Sequence, residues 1–324
     1  GMDTTLRKVL LTATIAALLF TSADVRGDDT DVYLNPGDGL PPGSEPMVMF
    51  SLDYRPNLGA TACNGTECDT LIAEGYLPAT GPYTFFDVLR AALAKVFEPL
   101  EGVRVGLMLN HDYRNNCSGY GRTECSNGGY IAMGFETFEE GDRNGAKARF
   151  LGILEAMPTP QGGQSHSYQG KELFFEFFRY LTGQGVYNGH NGYTDYFTSE
   201  IDNVDVDHPA IAWDKSIETG RMAEPLYTSP IDAAGACSKI YSVNFMFQVT
   251  NQEDDSDAAI EASVASGGFG SPQATFPDVL KYLNDADLAD GTYGTVPDLE
   301  DKQNLTSFFL VDPRFINTTT TEYA

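Results

Sequence analysis

Met47-Val48-Met49-Phe50-Ser51-Leu52-Asp53 is an apolar run interrupted only by Ser51 and closed by a carboxylate. A run of this length without polar alternation is the pattern of a strand buried on both faces, as in a parallel α/β sheet. Working outward, Thr84 with Asp87 three residues on forms a reciprocal cap for a helix. Phe86, Leu89, Leu93, Val96 and Phe97 give that helix one apolar stripe, and Pro99 marks its exit. Val103 to Leu109 then reads as a second strand. Strand, helix and strand in this order predict an α/β fold: a central, mostly parallel sheet with helices on both faces and one antiparallel edge strand.

The remaining elements fit that plan. Tyr130 to Phe135 reads as a short strand and Ala146 to Met157 as a modest helix. Leu173, Phe174, Phe177, Phe178 and Leu181 mark a strongly amphipathic helix. Ile240 to Val249 is a strand with Tyr241, Val243, Phe245, Phe247 and Val249 on one face. Asp278 to Leu288 is predicted helical, and Leu305 to Val311 is the last strand. Residues 184–236 lose periodicity and are rich in Gly, Tyr, Asp and Pro. So long an irregular stretch reads as an insertion at a functional edge. Its aromatic residues Tyr187, Tyr193, Tyr196, Phe197 and Trp213 either supply a contact surface or pack the insertion.

Composition narrows the function. The chain has 324 residues with 46 Asp and Glu against 20 Lys and Arg, a formal net charge of -26, yet 42% of it is hydrophobic. That much apolar material excludes a disordered acidic tail. The charge argues against sequence-independent nucleic-acid binding, which needs cations on phosphate, and against an anionic membrane surface. Residues 1–23 read as a signal peptide: Arg7 and Lys8, the apolar run Val9 to Phe20, then small Thr21-Ser22-Ala23. That run is too short to span a bilayer, so no membrane insertion is expected after cleavage. Residues 24–45 read as an exposed leader and 46–324 as one domain. Cys63 with Cys68, and Cys117 with Cys125, are expected to form local disulfides in an oxidising compartment, leaving Cys237 over.

Sites of chemistry in such a sheet lie beyond the carboxyl ends of its strands. There the chain places Asp53-Tyr54-Arg55-Pro56-Asn57 and Thr250-Asn251-Gln252-Glu253, with Ser165-His166-Ser167 in the loop before the Phe-rich helix. Other motifs are weak. His111, His166, His190 and His208 are scattered. Gly163-Gln-Ser165-His-Ser167 lacks the second Gly of a nucleophile elbow. Gly267-Gly-Phe-Gly270 lacks the Lys of a phosphate loop. The Asp-rich stretches do not match a calcium-loop spacing. No nucleophile–base pair stands out, so binding and not catalysis is expected.

The strand ending in Asp53, the capped helix and Val103-Arg-Val-Gly-Leu-Met108 together resemble a von Willebrand factor A domain. More narrowly they are similar to the N-terminal domain of PilY-type type IV pilus tip adhesins. Tyr227-Thr-Ser-Pro-Ile231, Phe276-Pro-Asp-Val-Leu-Lys-Tyr-Leu283 and Lys302-Gln-Asn-Leu-Thr306 follow in that family's order. The resemblance implies a Rossmann-type three-layer sandwich, secretion to the cell surface, and adhesion or pilus biogenesis at the pilus tip. Minor pilins or a host or surface ligand would be the partners. It also implies a chain that stops short of the family's last helix and of its propeller. The family's metal-ion-dependent adhesion site places Asp-x-Ser-x-Ser after the first strand. Here Asp53 stands with Arg55 and Asn57 at the two Ser positions. Ser165 or Ser167 would take the Thr position, Asn251 replaces an Asp, and Glu253 is kept. Arg55 is expected to fill the metal position and pair with Asp53, giving a metal-free recognition rim. A working Mg²⁺ or Ca²⁺ site would draw on Asp53, Ser167 and Asn251. The competing expectation is a secreted, Ca²⁺-stabilised hydrolase or polysaccharide-binding protein.

Overall fold

The computed structural model describes residues 45–54, 56–63, 66–110, 129–139, 141, 144–159, 170–187, 189–190, 212–221, 224–231, 238–246 and 276–311. Residues 1–23, read as a signal peptide, nearly all of 24–45, read as a leader, and Cys117, Cys125 and Cys237 lie outside the described residues. The central sheet has five strands: β1 (Met47–Leu52), β4 (Arg104–Asn110), β5 (Gly129–Thr137), β8 (Ile240–Met246) and β9 (Leu305–Val311). Their order is β5-β4-β1-β8-β9. β1 pairs in parallel with both β4 and β8, β8 pairs in parallel with β9, and β5 alone runs antiparallel, against β4. The fold is therefore α/β with a mostly parallel sheet and one antiparallel edge. A two-stranded ribbon of β2 (Thr61–Cys63) and β3 (Tyr83–Thr84) lies apart from it, as does a hairpin of β6 (Glu218–Arg221) and β7 (Glu224–Tyr227).

Side-chain alternation in β1 sends Met47 and Met49 to one face and Val48, Phe50 and Leu52 to the other, and all five are buried. The second face packs on helices α2 (Phe85–Phe97) and α3 (Ala146–Ala156) through Phe86, Leu93, Phe97, Phe150 and Leu154. The first packs on α4 (Gly170–Leu181) and α5 (Phe276–Asp285) through Phe174, Phe177, Phe178, Val279 and Leu283. A short helix α1 (Asp69–Ala73) lies in the connection between the two strands of the ribbon. There Cys63 and Cys68 form a disulfide with Cα atoms 6.3 Å apart, inside a small cluster with Leu77, Tyr83 and Ala91.

The capping box expected for α2 is present: the Thr84 hydroxyl accepts from the Asp87 N–H at 3.1 Å, and the Asp87 carboxylate accepts from the Thr84 N–H at 2.8 Å. Burial opposes ionisation of Asp87. The hydrogen bonds from Thr84 and the Arg90 guanidinium outweigh that and hold its carboxyl below the usual carboxylate range. A depressed folded pKa adds stability above the unfolded value, and that stability is lost as pH falls through the folded one. Thr84→Ala is expected to cost about 1 kcal/mol in urea unfolding at neutral pH. The difference from wild type should shrink at acid pH, where Asp87 is protonated.

In β8, Tyr241, Val243 and Phe245 share one face as expected, but it is the less covered one, while Phe247 and Val249 lie outside the described residues. Ile240, Ser242, Asn244 and Met246 are buried, whereas the apolar Tyr241, Val243 and Phe245 are only half-buried. The buried polar pair is matched by hydrogen bonds. Ser242 Oγ donates to Ser307 Oγ at 2.8 Å, and Asn244 Nδ2 donates to Ser242 Oγ at 3.0 Å and to the Phe308 carbonyl at 2.9 Å. Hydrogen-bonded polar groups tolerate the interior; Asn244 Oδ1 alone of these atoms has no partner among the described residues, and the more apolar face of this strand is the less covered one.

Candidate functional site

In this strand order, β1 continues to β4 on one side while β8 and β9 lie on the other. The carboxyl ends of β1 and β8 therefore flank the switch point where ligands of open α/β sheets bind. Asp53 stands there, fully buried. Its N–H donates to the Phe245 carbonyl at 2.9 Å, prolonging the β1–β8 pairing one residue past the strand. The next residue turns away under firm control. The Tyr54 N–H donates to Asn110 Oδ1 at 2.6 Å, and Asn110 Nδ2 donates to the Tyr54 carbonyl at 3.2 Å. One buried amide thus ties the exit of β1 to the end of β4. The Tyr54 ring lies edge-on to Phe86 at 5.4 Å, and its hydroxyl donates to the Pro158 carbonyl. A carboxylate is in this way fixed at the switch point by a backbone that cannot swing.

Asn110 is the residue the sequence reading passed over. The signal was available, because a polar residue closes the apolar run of β4 just as Asp53 closes that of β1. Asn57 falls in a 3-10 turn, Pro56–Gly59, directly after the site. Arg55, Ser165, Ser167, Asn251 and Glu253 lie outside the described residues. Among the described residues, no group of three or more His, Cys, Asp or Glu side chains stands together as metal ligands would.

A second polar cluster forms between α4 and residues 184–231. Glu176 is buried, and its Oε1 accepts the Tyr227 hydroxyl at 2.6 Å and the Tyr187 N–H at 3.1 Å. Gly189 runs so close that a Cβ there would collide with the Tyr227 hydroxyl and the Glu176 carboxylate. His190 is also buried: its Nε2 lies 2.7 Å from Glu218 Oε1, and its ring stacks on Trp213 with centroids 4.2 Å apart. Of the aromatic residues expected to face outward or pack, Trp213 is buried and Tyr187 packs on Phe175. Tyr193, Tyr196 and Phe197 lie outside the described residues, as do His111, His166 and His208. The described part of the stretch is thus a cap over α4, built from β6, β7 and the strand-like passage at Gly185–Val186.

No family model matches this chain, and neither a curated protein nor a solved structure does.

Proposed function

We propose that the chain is an exported adhesion and pilus-biogenesis module of von Willebrand factor A-like fold. It acts by binding, not turnover, at the tip of a type IV pilus, with minor pilins or a surface ligand as partner. The observation that carries this reading is the placement of buried Asp53 at the β1–β8 switch point of a sheet in which the edge strand β5 alone is antiparallel. The motif residues Arg55, Asn57, Ser165, Ser167, Asn251 and Glu253 would complete the rim around it. Arg55 would take the place of a metal ion there, because a guanidinium donates to several oxygens at once.

Two measurements test this. Deleting the gene in its host is expected to reduce surface piliation or adhesion, and the intact gene to restore it; unchanged pili and adhesion would overturn the assignment. Calorimetric titration of the purified protein with Mg²⁺, Mn²⁺ and Ca²⁺ is expected to show no tight binding. Micromolar binding that disappears in Asp53→Ala would replace the arginine-filled site by a working metal site.

A further inference from the structure

Helix α4 touches the switch point with one turn and the cap with the next. In its first turn Leu173 is buried against the end of the sheet. A Cβ on Gly129 would come within 2.5 Å of Leu173 Cδ1 and 2.9 Å of Asn110 Cα. Gly129 is the partner of Asn110 in the β4–β5 register, so the absence of a side chain there lets Leu173 rest directly on the rung that holds Asn110. One turn later, Glu176 Oε1 takes the Tyr227 hydroxyl at 2.6 Å and the Tyr187 N–H at 3.1 Å. Around this grip Arg179 Nε donates to the Gly185 carbonyl, and the Tyr187 ring packs edge-on to Phe175 at 5.7 Å. On its other side the helix is seated in the core by Phe174, Phe177 and Phe178.

We infer that Glu176 is a positioning residue for the switch-point site: through α4 and Leu173, the grip of the cap on Glu176 holds Asn110, and with it the exit of β1, in place. The inference rests on the reading of the switch point as the binding site. The transmission is mechanical. Leu173 and Glu176 are three residues apart, about 4.5 Å along a helix axis, so both contacts belong to one turn of a stiff element. Close-packed interiors compress little and pass strain on, so a displacement of the helix at Glu176 is felt at Leu173. The element that responds is small. The Tyr54 N–H and carbonyl are both bonded by the single Asn110 amide, at 2.6 and 3.2 Å, and a hydrogen bond weakens steeply as its geometry is lost. A partner that lifts the cap therefore loosens the recognition rim without touching it.

Hydrogen exchange of the full chain, read amide by amide by NMR, tests the linkage without a ligand. Two variants loosen the grip in different ways. Gly189→Ala drives a Cβ into the Tyr227 hydroxyl and the Glu176 carboxylate. Tyr227→Phe removes the hydroxyl that Glu176 accepts. In both, exchange of the Tyr54 amide is expected to quicken about tenfold, the scale of losing one bond to a charged acceptor. The Asp87 amide, bonded to Thr84 in the layer on the opposite face of the sheet, should keep its wild-type rate. An unchanged Tyr54 rate in either folded variant, with or without faster exchange at Tyr187, would overturn the proposal, because the cap would then move alone. So would equal acceleration at Tyr54 and Asp87, the mark of a general loss of stability. Where Gly189→Ala fails to fold, Tyr227→Phe decides. The result is separate from the test of function: a chain with no role at a pilus can show the linkage, and an adhesion module can lack it.

Discussion

Phe174→Ala is expected to lower the unfolding free energy by about 4 kcal/mol, the upper range for emptying an aromatic site that cannot collapse. The side chain is fully buried where three elements meet. Its ring lies 5.3 Å from Phe276 of α5, 6.5 Å from Phe309 of β9 and 6.3 Å from Phe177 of its own helix. These neighbours are themselves held: Phe276 also packs edge-on to Phe309 at 5.9 Å, and a Cβ on Gly170 would meet the Phe276 ring. Rings locked from both sides do not move into a void, so the cavity persists and its lining loses dispersion contacts. For a domain of this size the melting temperature should fall by on the order of 10 °C. Phe308→Ala, at an exposed position, is the control and should cost far less. Similar losses at both positions, read by denaturant titration, would show that α4 is not the centre of its layer.

That α4 holds such a place was only partly legible. Leu173, Phe174, Phe177, Phe178 and Leu181 announced an amphipathic helix, whose other positions include the charged Lys171, Glu172 and Glu176. In the fold those three charged residues are buried too. A sequence pattern does not foresee cover from far downstream, as when Glu176 is met by Tyr187 and Tyr227 of the cap. Where structure is local, the reading was closer. Thr84 and Asp87 cap α2 as their spacing required, the apolar run of 47–52 is buried residue by residue, and Cys63 and Cys68 meet across four intervening residues. The antiparallel edge strand was also foreseen. At the switch point Asp53 was legible because it ends β1. Asn110 closes β4 in the same way and was passed over; what the run does not show is that its amide reaches a backbone 56 residues away. The division of β8 into two faces was legible but not which is the more buried, because hydrogen-bonded Ser242 and Asn244 take the inner side.

Asp214→Ala should be the most damaging change in the cap, at about 3 kcal/mol. Oδ2 of this buried carboxylate accepts the Gly134 N–H at 2.8 Å and Arg149 Nη2 at 2.9 Å, and Oδ1 accepts the Ser216 N–H at 3.0 Å. The residue therefore clamps the turn at 213–217 to the bulged strand β5. Gly134 is suited to this, because a side chain there would strike Ile217 and the Tyr180 hydroxyl. That hydroxyl takes the neighbouring Phe135 N–H at 3.1 Å, and burial drives its pKa far above the ordinary phenol value, so it stays neutral. Removing the carboxylate leaves the Gly134 N–H without its acceptor in a buried place. The Arg149 contribution is smaller, since Arg149 is 40% exposed and also pairs with Glu136. Asp214→Asn keeps an acceptor for Gly134 and should cost no more than half as much. The adjacent Trp213 is the chain's single tryptophan and is buried against His190, which makes the clamp directly observable. In Asp214→Ala, tryptophan emission should shift to the red at denaturant concentrations where the far-ultraviolet circular dichroism is still native, because the cap lifts before the sheet unfolds. Coincident transitions by the two probes, with a loss below about 1 kcal/mol, would mean that the cap is held elsewhere and that the β5 edge does not depend on it.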